Sequence, residues 1–217
     1  MKRILFYLSF VLVVIVLGCR ERGIKGSGDV VSEVREIEEF DKLAVSGAYN
    51  LEIEVGPDVS LKLDAEDNLL KYIKTEVINN RLMIETSRSI SPKRKIRIIL
   101  TTPGLEEIES SGISNIYVNG IDEQIFSLDL SGAGFIELKG KVEQFNAELS
   151  GAGRLEASEL YARFVDLDAS GASNGEVYVS ERLVVDLSGT GSIEYFGDPQ
   201  EVRENISGVG SLVKKDF

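Results

Sequence analysis

Histidine and tryptophan are absent from these 217 residues, and cysteine occurs once, as Cys19. Without histidine, neither a Ser-His-Asp nor a Cys-His catalytic arrangement can be built. One thiol allows no disulfide within the chain and no cysteine zinc site. Cations are also in short supply, 24 Lys and Arg against 36 Asp and Glu, for a formal net charge of −12. Loss of residues 1–18 would remove Lys2 and Arg3 and no acid, leaving 22 against 36, or −14. Such a surface repels phosphate backbones, so nucleic acid is not an expected partner. What is abundant is glycine, 21 residues, beside 43% hydrophobic residues. That mixture favours strands and turns over helices, with enough apolar material for a core.

The N-terminus speaks for compartment. Lys2 and Arg3 precede an apolar run of 14 residues, Ile4 to Leu17. A membrane span needs about 20 residues, so this run is short for a span and suited to a signal sequence. Val16-Leu17-Gly18-Cys19 follows and reads as a lipobox, with the small Gly18 before the cut and Cys19 as the acylated first residue. Each buried CH₂ contributes about 0.8 kcal/mol, so two or three acyl chains hold a protein stably on a membrane. We therefore expect a signal peptide at 1–18 and a lipidated Cys19 with a polar tether over 19–38 that leads into a first short strand. One domain is expected over 39–217. Arg20 stands where an Asp would favour retention in the inner membrane, so a lipid-anchored outer-membrane location is expected, facing the periplasm or the cell surface.

A repeat organises the second half. The tetrapeptide Ser-Gly-x-Gly/Ser begins at Ser111, Ser131, Ser150, Ser170, Ser188 and Ser207, in steps of 20, 19, 20, 18 and 19 residues. Its glycines are Gly112, Gly132, Gly134, Gly151, Gly153, Gly171, Gly189, Gly191, Gly208 and Gly210. One residue before each serine, and again three before, the side chains are mostly apolar, as in Leu130 and Leu128 or Leu149 and Ala147. Between them stand Glu109, Asp129, Glu148, Asp168 and Asp186. Five residues after the serine lie Ile116, Ile136, Leu155 and Ile193, and the next positions hold Glu137, Glu156, Glu176 and Glu194. This is the alternation of half-buried strands on either side of a sharp glycine corner. A period near 19 then matches one coil of an all-β, single-stranded parallel β-helix, a β-solenoid. The corner glycines supply either positive φ or close backbone approach. The residues between them, from Ile113 to Val209, are expected to pack under the corner, and a loose return such as Gly140 to Gln144 is expected to close each coil. Ser46-Gly47 lies outside the phase.

Residues 40–101 alternate more irregularly, in LEIEV (51–55), VSLKLDA (59–65), RLMIETS (81–87) and KIRIILT (95–101). Asn79-Asn80 is a turn signal, and 67–73 suits a helical turn. This half is expected to start and cap the solenoid, since a bare first coil would leave an open edge.

These segments resemble a known family, the auto-transporter adhesin head GIN domain. The resemblance rests on Phe40-Asp41-Lys42-Leu43 with Ser46-Gly47, on LKLDAEDNLLKYIKTEVINNRLMIE (61–85), and on the Ser-Gly-Ala-Gly coils, and runs from about Phe40 to Val213. It implies a β-helix-like solenoid in an exported protein or lipoprotein, typical of Bacteroidetes and related bacteria. It implies no catalytic residue.

The acidic rows are the feature with potential chemistry. Stacked coils bring Glu137, Glu156, Glu176 and Glu194 to a spacing of about 4.8 Å. Adjacent carboxylates could share weakly held Ca²⁺, or form a solvated face that deters aggregation. No other cofactor is expected. The corner serines should stack as a ladder of hydroxyls, with no base to activate them. The expected function is a non-enzymatic, envelope-anchored adhesin or binding module with a glycan or protein ligand. Its alternatives are a polysaccharide-active enzyme on a β-helix and a structural envelope protein.

Overall fold

A computed structural model describes residues 23–216. The expected signal peptide at 1–18, Cys19 and the terminal Phe217 lie outside the described residues. The chain begins with β1 (Ile24–Lys25), β2 (Val30–Arg35), β3 (Lys42–Ser46), β4 (Asn50–Val55) and β5 (Ser60–Glu66). A 3-10 turn at Leu70–Tyr72 leads into β6 (Ile73–Ile78) and β7 (Arg81–Thr86), then β8 (Ile90–Ser91) and β9 (Arg97–Thr102). The coils follow as β10 (Glu107–Ser110), β11 (Asn115–Leu130), β12 (Phe135–Leu149), β13 (Arg154–Ala169) and β14 (Asn174–Leu187), closing with β15 (Thr190–Phe196), β16 (Glu201–Ile206) and β17 (Val209–Lys214).

Two faces meet at the Ser-Gly corner. Face A holds the segments that run into the corner: β6, β7, β3 and β10, then the C-terminal halves of β11 to β14, then β16. Face B holds the segments that leave it: β2, β5, β9 and β4, then the N-terminal halves of β11 to β14, then β15 and β17. Neighbouring coils pair in parallel, as expected of a β-solenoid. The antiparallel pairs are confined to the N-terminal cap, where β5 lies between β2 and β9 and β6 lies beside β7. The β6–β7 hairpin turns through Asn79 and Asn80, with φ of 51° and 62°, the left-handed pair that a two-residue hairpin loop requires.

The alternation places the core as read from sequence. Leu130, Leu149, Ala169 and Leu187 lie in register on successive coils and are buried, as are Leu128, Ala147, Leu167 and Val185. Phe126 and Phe145 stack inside with ring centroids 6.0 Å apart. Burial of each such side chain contributes about 1.5–3 kcal/mol, and this stack is the main source of stability.

Close approach explains the first glycine of each corner. A Cβ on Gly151 would lie 1.8 Å from the carbonyl oxygen of Gly132, and one on Gly171 1.9 Å from that of Gly151. The next residue's N–H donates to that same carbonyl, as Ala152 does to Gly132 at 3.1 Å and Ala172 to Gly151 at 2.9 Å. Any side chain in the column would break the ladder that joins the coils.

Four expectations are corrected. Ser46-Gly47 is in the stack: Ile113 N–H donates to Gly47 O at 2.7 Å, and a Cβ on Gly112 would lie 1.9 Å from that oxygen. The corner is displaced in sequence because β5 to β9 are inserted after its coil and fold beneath it, so that β3 lies between β7 and β10. The stretch 19–38 is not a tether from Gly23 onward, for β1 pairs with β8 and β2 with β5. Ile113, Ala152, Ala172, Thr190 and Val209 point outward rather than under the corner, Val209 with 82% exposure. The return is no loose loop: β12 runs on through Gly140, whose φ of 144° accompanies a register shift against β11 and β13.

Candidate ligand-binding surface

The four glutamates of face B are brought together as read from sequence, since Glu137, Glu156, Glu176 and Glu194 are register partners on adjacent coils. They are not a row of free carboxylates. Arg154 donates to Glu156 at 2.7 Å and to Glu176 on the next coil at 2.6 Å. Lys139 lies 2.9 Å from Glu137 and 2.9 Å from Glu159, and Lys215 lies 3.5 Å from Glu194. The hydrogen bond from Arg154 to Glu156 leads the effects that raise the guanidinium pKa, and the bond to Glu137 leads those that raise Lys139. Among the described residues, no group of three or more acidic side chains is placed to hold a metal ion.

The acidic row of face A differs. Glu109 is paired with Arg81 at 2.8 Å, and Asp186 accepts from Asn205 at 2.9 Å. Asp129, Glu148 and Asp168 stack in register and face solvent. The corner serines form no hydroxyl chain: among the described residues, the side-chain hydrogen bond in that column is Ser111 to Val45 O, at 3.5 Å.

Towards the cap, the glutamate column of face B changes character. Glu137 pairs in register with Tyr117, Tyr117 with Glu52, and Glu52 with Ile99. The adjacent column holds Asn119, Glu54 and Thr101. Together with Lys139 they line a depression of about 330 Å³ where the N-terminal coils meet the regular ones. Tyr117 is 41% exposed, with its ring centroid 5.5 Å from that of Phe135. Asn119 Nδ2 donates to both carboxylate oxygens of Glu54 at 3.0 Å. Arg97 Nε donates to Glu52 at 2.8 Å, and that bond is the largest influence holding the Glu52 carboxyl below its usual range.

The serine spacing does not reveal this depression, because Glu52, Ile99 and Thr101 precede the first coil of the repeat. A signal was nevertheless present. Six residues after Ser131, Ser150, Ser170 and Ser188 stands a glutamate, whereas six after Ser111 stands Tyr117. One coil thus replaces a charge by an exposed ring.

Comparison with known proteins agrees with this architecture. Residues 39–199 match the model of the family described as "Putative auto-transporter adhesin, head GIN domain". A putative adhesin from Bacteroides fragilis superposes with a TM-score of 0.75 at 22% identity, covering 89% of this chain and 100% of that one. Another, from Parabacteroides distasonis, gives 0.57 at 19%, with the same coverage of both chains. A structure from Parabacteroides distasonis described as a putative lipid binding protein gives 0.55 at 20%, again over 89% and 100%. At these identities the likeness is one of fold. No curated protein matches the chain.

Proposed function

The chain belongs to the auto-transporter adhesin head GIN domain family, and from that premise we propose that it is a non-enzymatic binding module held at the bacterial outer membrane through an acylated Cys19. The observation that carries the reading is how the outward charges are used. Arg163 joins Glu143 at 2.6 Å to Glu181 at 2.8 Å, across three coils, while Arg154 and Lys139 each join two. These charged groups brace a stiff rod instead of converging on a reacting centre. A rigid scaffold that carries a fixed recess suits recognition, because little ordering has to accompany binding. The interior is filled by side chains such as Phe126, Phe145 and Leu149. That packing leaves no room for a lipid as cargo between the faces, which supports a reading in which lipid serves as the anchor.

Two measurements test this. Replacement of Cys19 by Ser should abolish palmitate labelling and release the protein from the membrane fraction; continued labelling and sedimentation would reject the anchor. Cells that carry the protein should attach to glycan- or matrix-protein-coated surfaces better than cells that lack it. Release of reducing ends from polysaccharide by the purified protein would instead favour an enzyme. A weakened envelope with unchanged attachment would favour a structural role.

A further inference from the structure

We propose that the depression around Tyr117 is a binding site for a neutral oligosaccharide, an inference that rests on the binding-module reading and names the ligand class. The chemistry of its lining selects among ligands. Tyr117 offers an exposed ring and Ile99 an aliphatic surface, on which the C–H face of a sugar ring can stack. Around them stand planar acceptors and an amide: Glu52, Glu54, Glu137 and Asn119. Each carboxylate keeps lone pairs beyond its bonds to Arg97, Asn119 or Lys139, and these, with the Asn119 carbonyl oxygen, accept from the hydroxyls that a sugar donates in neighbouring pairs. A purely apolar ligand would strip water from the carboxylates without replacing their hydrogen bonds, at a cost in affinity.

Charge narrows the class further. Three carboxylates, Glu52, Glu54 and Glu137, face two cations, Arg97 and Lys139, and both cations are already paired. An anionic sugar would meet net negative charge with no uncommitted cation to receive it. A peptide is disfavoured for another reason. Peptides recognised by strand addition need a sheet edge. Here β4 is paired on both sides, with β9 and with β11, and its ladder is spent. The volume of about 330 Å³ is at the small end of ligand sites, roughly 300–1,000 Å³, which suits a short stretch of a glycan whose remainder stays in solvent.

The test titrates the full chain, in a zwitterionic detergent, with cellotetraose, chitotetraose, maltotetraose and tetragalacturonate. At least one neutral tetrasaccharide should bind, with saturation-transfer signals from its ring protons, and tetragalacturonate should not. Tyr117→Ala should weaken binding by about tenfold, the value of one aromatic stacking contact. Tyr117→Phe should largely preserve it, since the ring supplies the contact. Asn119→Ala, at an exposed position, should weaken binding without altering the melting curve, and it serves if Tyr117→Ala does not fold. Binding by none of the neutral sugars, or tighter binding of tetragalacturonate, would overturn the proposal. So would binding that Tyr117→Ala and Asn119→Ala leave intact, or capture of a peptide at this site that the sugars do not displace. If no sugar binds while cells still attach through the protein, the site assignment fails and the binding-module reading stands.

Discussion

In the regular coils charged side chains reach to the neighbouring coil: Arg163 bonds residues 20 and 18 positions distant, and Arg154 reaches 22 positions to Glu176. Between Gly23 and Thr102 the long-range partners follow no coil period. Glu66, buried in the cap, accepts from Gly28 N–H at 2.6 Å and from Lys93 N–H at 2.8 Å, 38 and 27 positions away. Arg35 donates to the carbonyls of Ile73 and Leu70, and buried Thr102 donates to Phe40 O across 62 positions. The regular half spreads one task over a column of equivalent residues. The cap entrusts each task to one residue. Damage to the exposed columns should therefore be shared along the coils, whereas damage to the cap should be local and specific.

The largest expected effect lies in the shared core of the regular half. Leu149→Asp places a charge between Leu130 and Ala169, where no partner exists, and should cost about 4 kcal/mol or more. Its exposed neighbour Glu148 lies between Asp129 and Asp168, so Glu148→Lys should change stability by less than about 0.5 kcal/mol, in the stabilising direction. Urea midpoints for the two variants check this, and equal losses would mean that the inward and outward rows are misassigned.

Next comes the corner column. Gly151→Ala sets a methyl 1.8 Å from the Gly132 carbonyl oxygen, against backbone that cannot move without breaking the ladder. About 3 kcal/mol should be lost. Gly56, in the cap, has nothing within 4 Å of its added Cβ, and Gly56→Ala should be neutral or gain up to about 0.5 kcal/mol. Similar melting points for the two would remove close approach as the reason for the glycine column.

A point loss in the cap should behave differently. Glu66→Ala orphans the N–H groups of Gly28, Lys93 and Arg94 and should cost about 2–3 kcal/mol. Hydrogen exchange should then show lost protection over 24–29 and 91–94, while β11 to β14 keep theirs. Uniform loss along the molecule would mean that cap and coils unfold as one unit.

These differences also explain what the sequence disclosed. The solenoid was legible from Ser111 to Ser207 because each coil presents the same requirement to its neighbour, so serine spacing and alternation of Leu128, Asp129 and Leu130 carry fold and register together. Ser46-Gly47 was misplaced because the chain departs for β5 to β9 before it returns, and phase along the sequence cannot show that β3 sits between β7 and β10. Strands β1 and β2 were hidden for a related reason. They are held by β8 and β5 and by the Glu66 carboxylate, and their own residues are largely polar or exposed. The glutamate column was found in sequence, but not the cations between its members, because Arg154 and Lys139 occur at no repeated position.

Tyr49 lies at the join, next to the first corner, with its ring against Gly47 and its hydroxyl buried without a hydrogen-bond partner among the described residues. Burial, and then the Glu85 carboxylate, push its pKa up to about 12 from 10.0, against a smaller pull from Arg35. The folded chain thus holds the proton where the unfolded chain releases it. This contribution is whole below about pH 10 and is lost as pH rises through about 12, by roughly 2–3 kcal/mol in all. Tyr49→Phe should remove that slope and, by deleting an unsatisfied hydroxyl, gain about 1 kcal/mol at pH 8. Urea unfolding of both proteins between pH 8 and 11.5 gives the difference, in which the other tyrosines cancel. Parallel curves would contradict the burial argument.

The smallest effect concerns the face B glutamates and Ca²⁺. A bound ion stabilises the fold by mass action and would raise the melting temperature beyond the effect of screening. To enter the column, however, Ca²⁺ must displace Arg154 from Glu156 and Glu176 or Lys139 from Glu137, groups that are already within ion-pair distance. We expect millimolar CaCl₂ and NaCl of equal ionic strength to shift the melting temperature alike. Arg154→Met should sharpen the comparison. It costs less than about 1 kcal/mol, as exposed pairs do. It also leaves Glu156 and Glu176 unshielded at coil spacing, where like charges repel by about 1 kcal/mol in water. That variant should acquire a Ca²⁺-specific stabilisation that the native chain lacks, and Glu176→Gln in the same background should abolish it. A Ca²⁺-specific shift in the native protein that Arg154→Met does not enlarge would mean that the bridging cations are not what occupies the column.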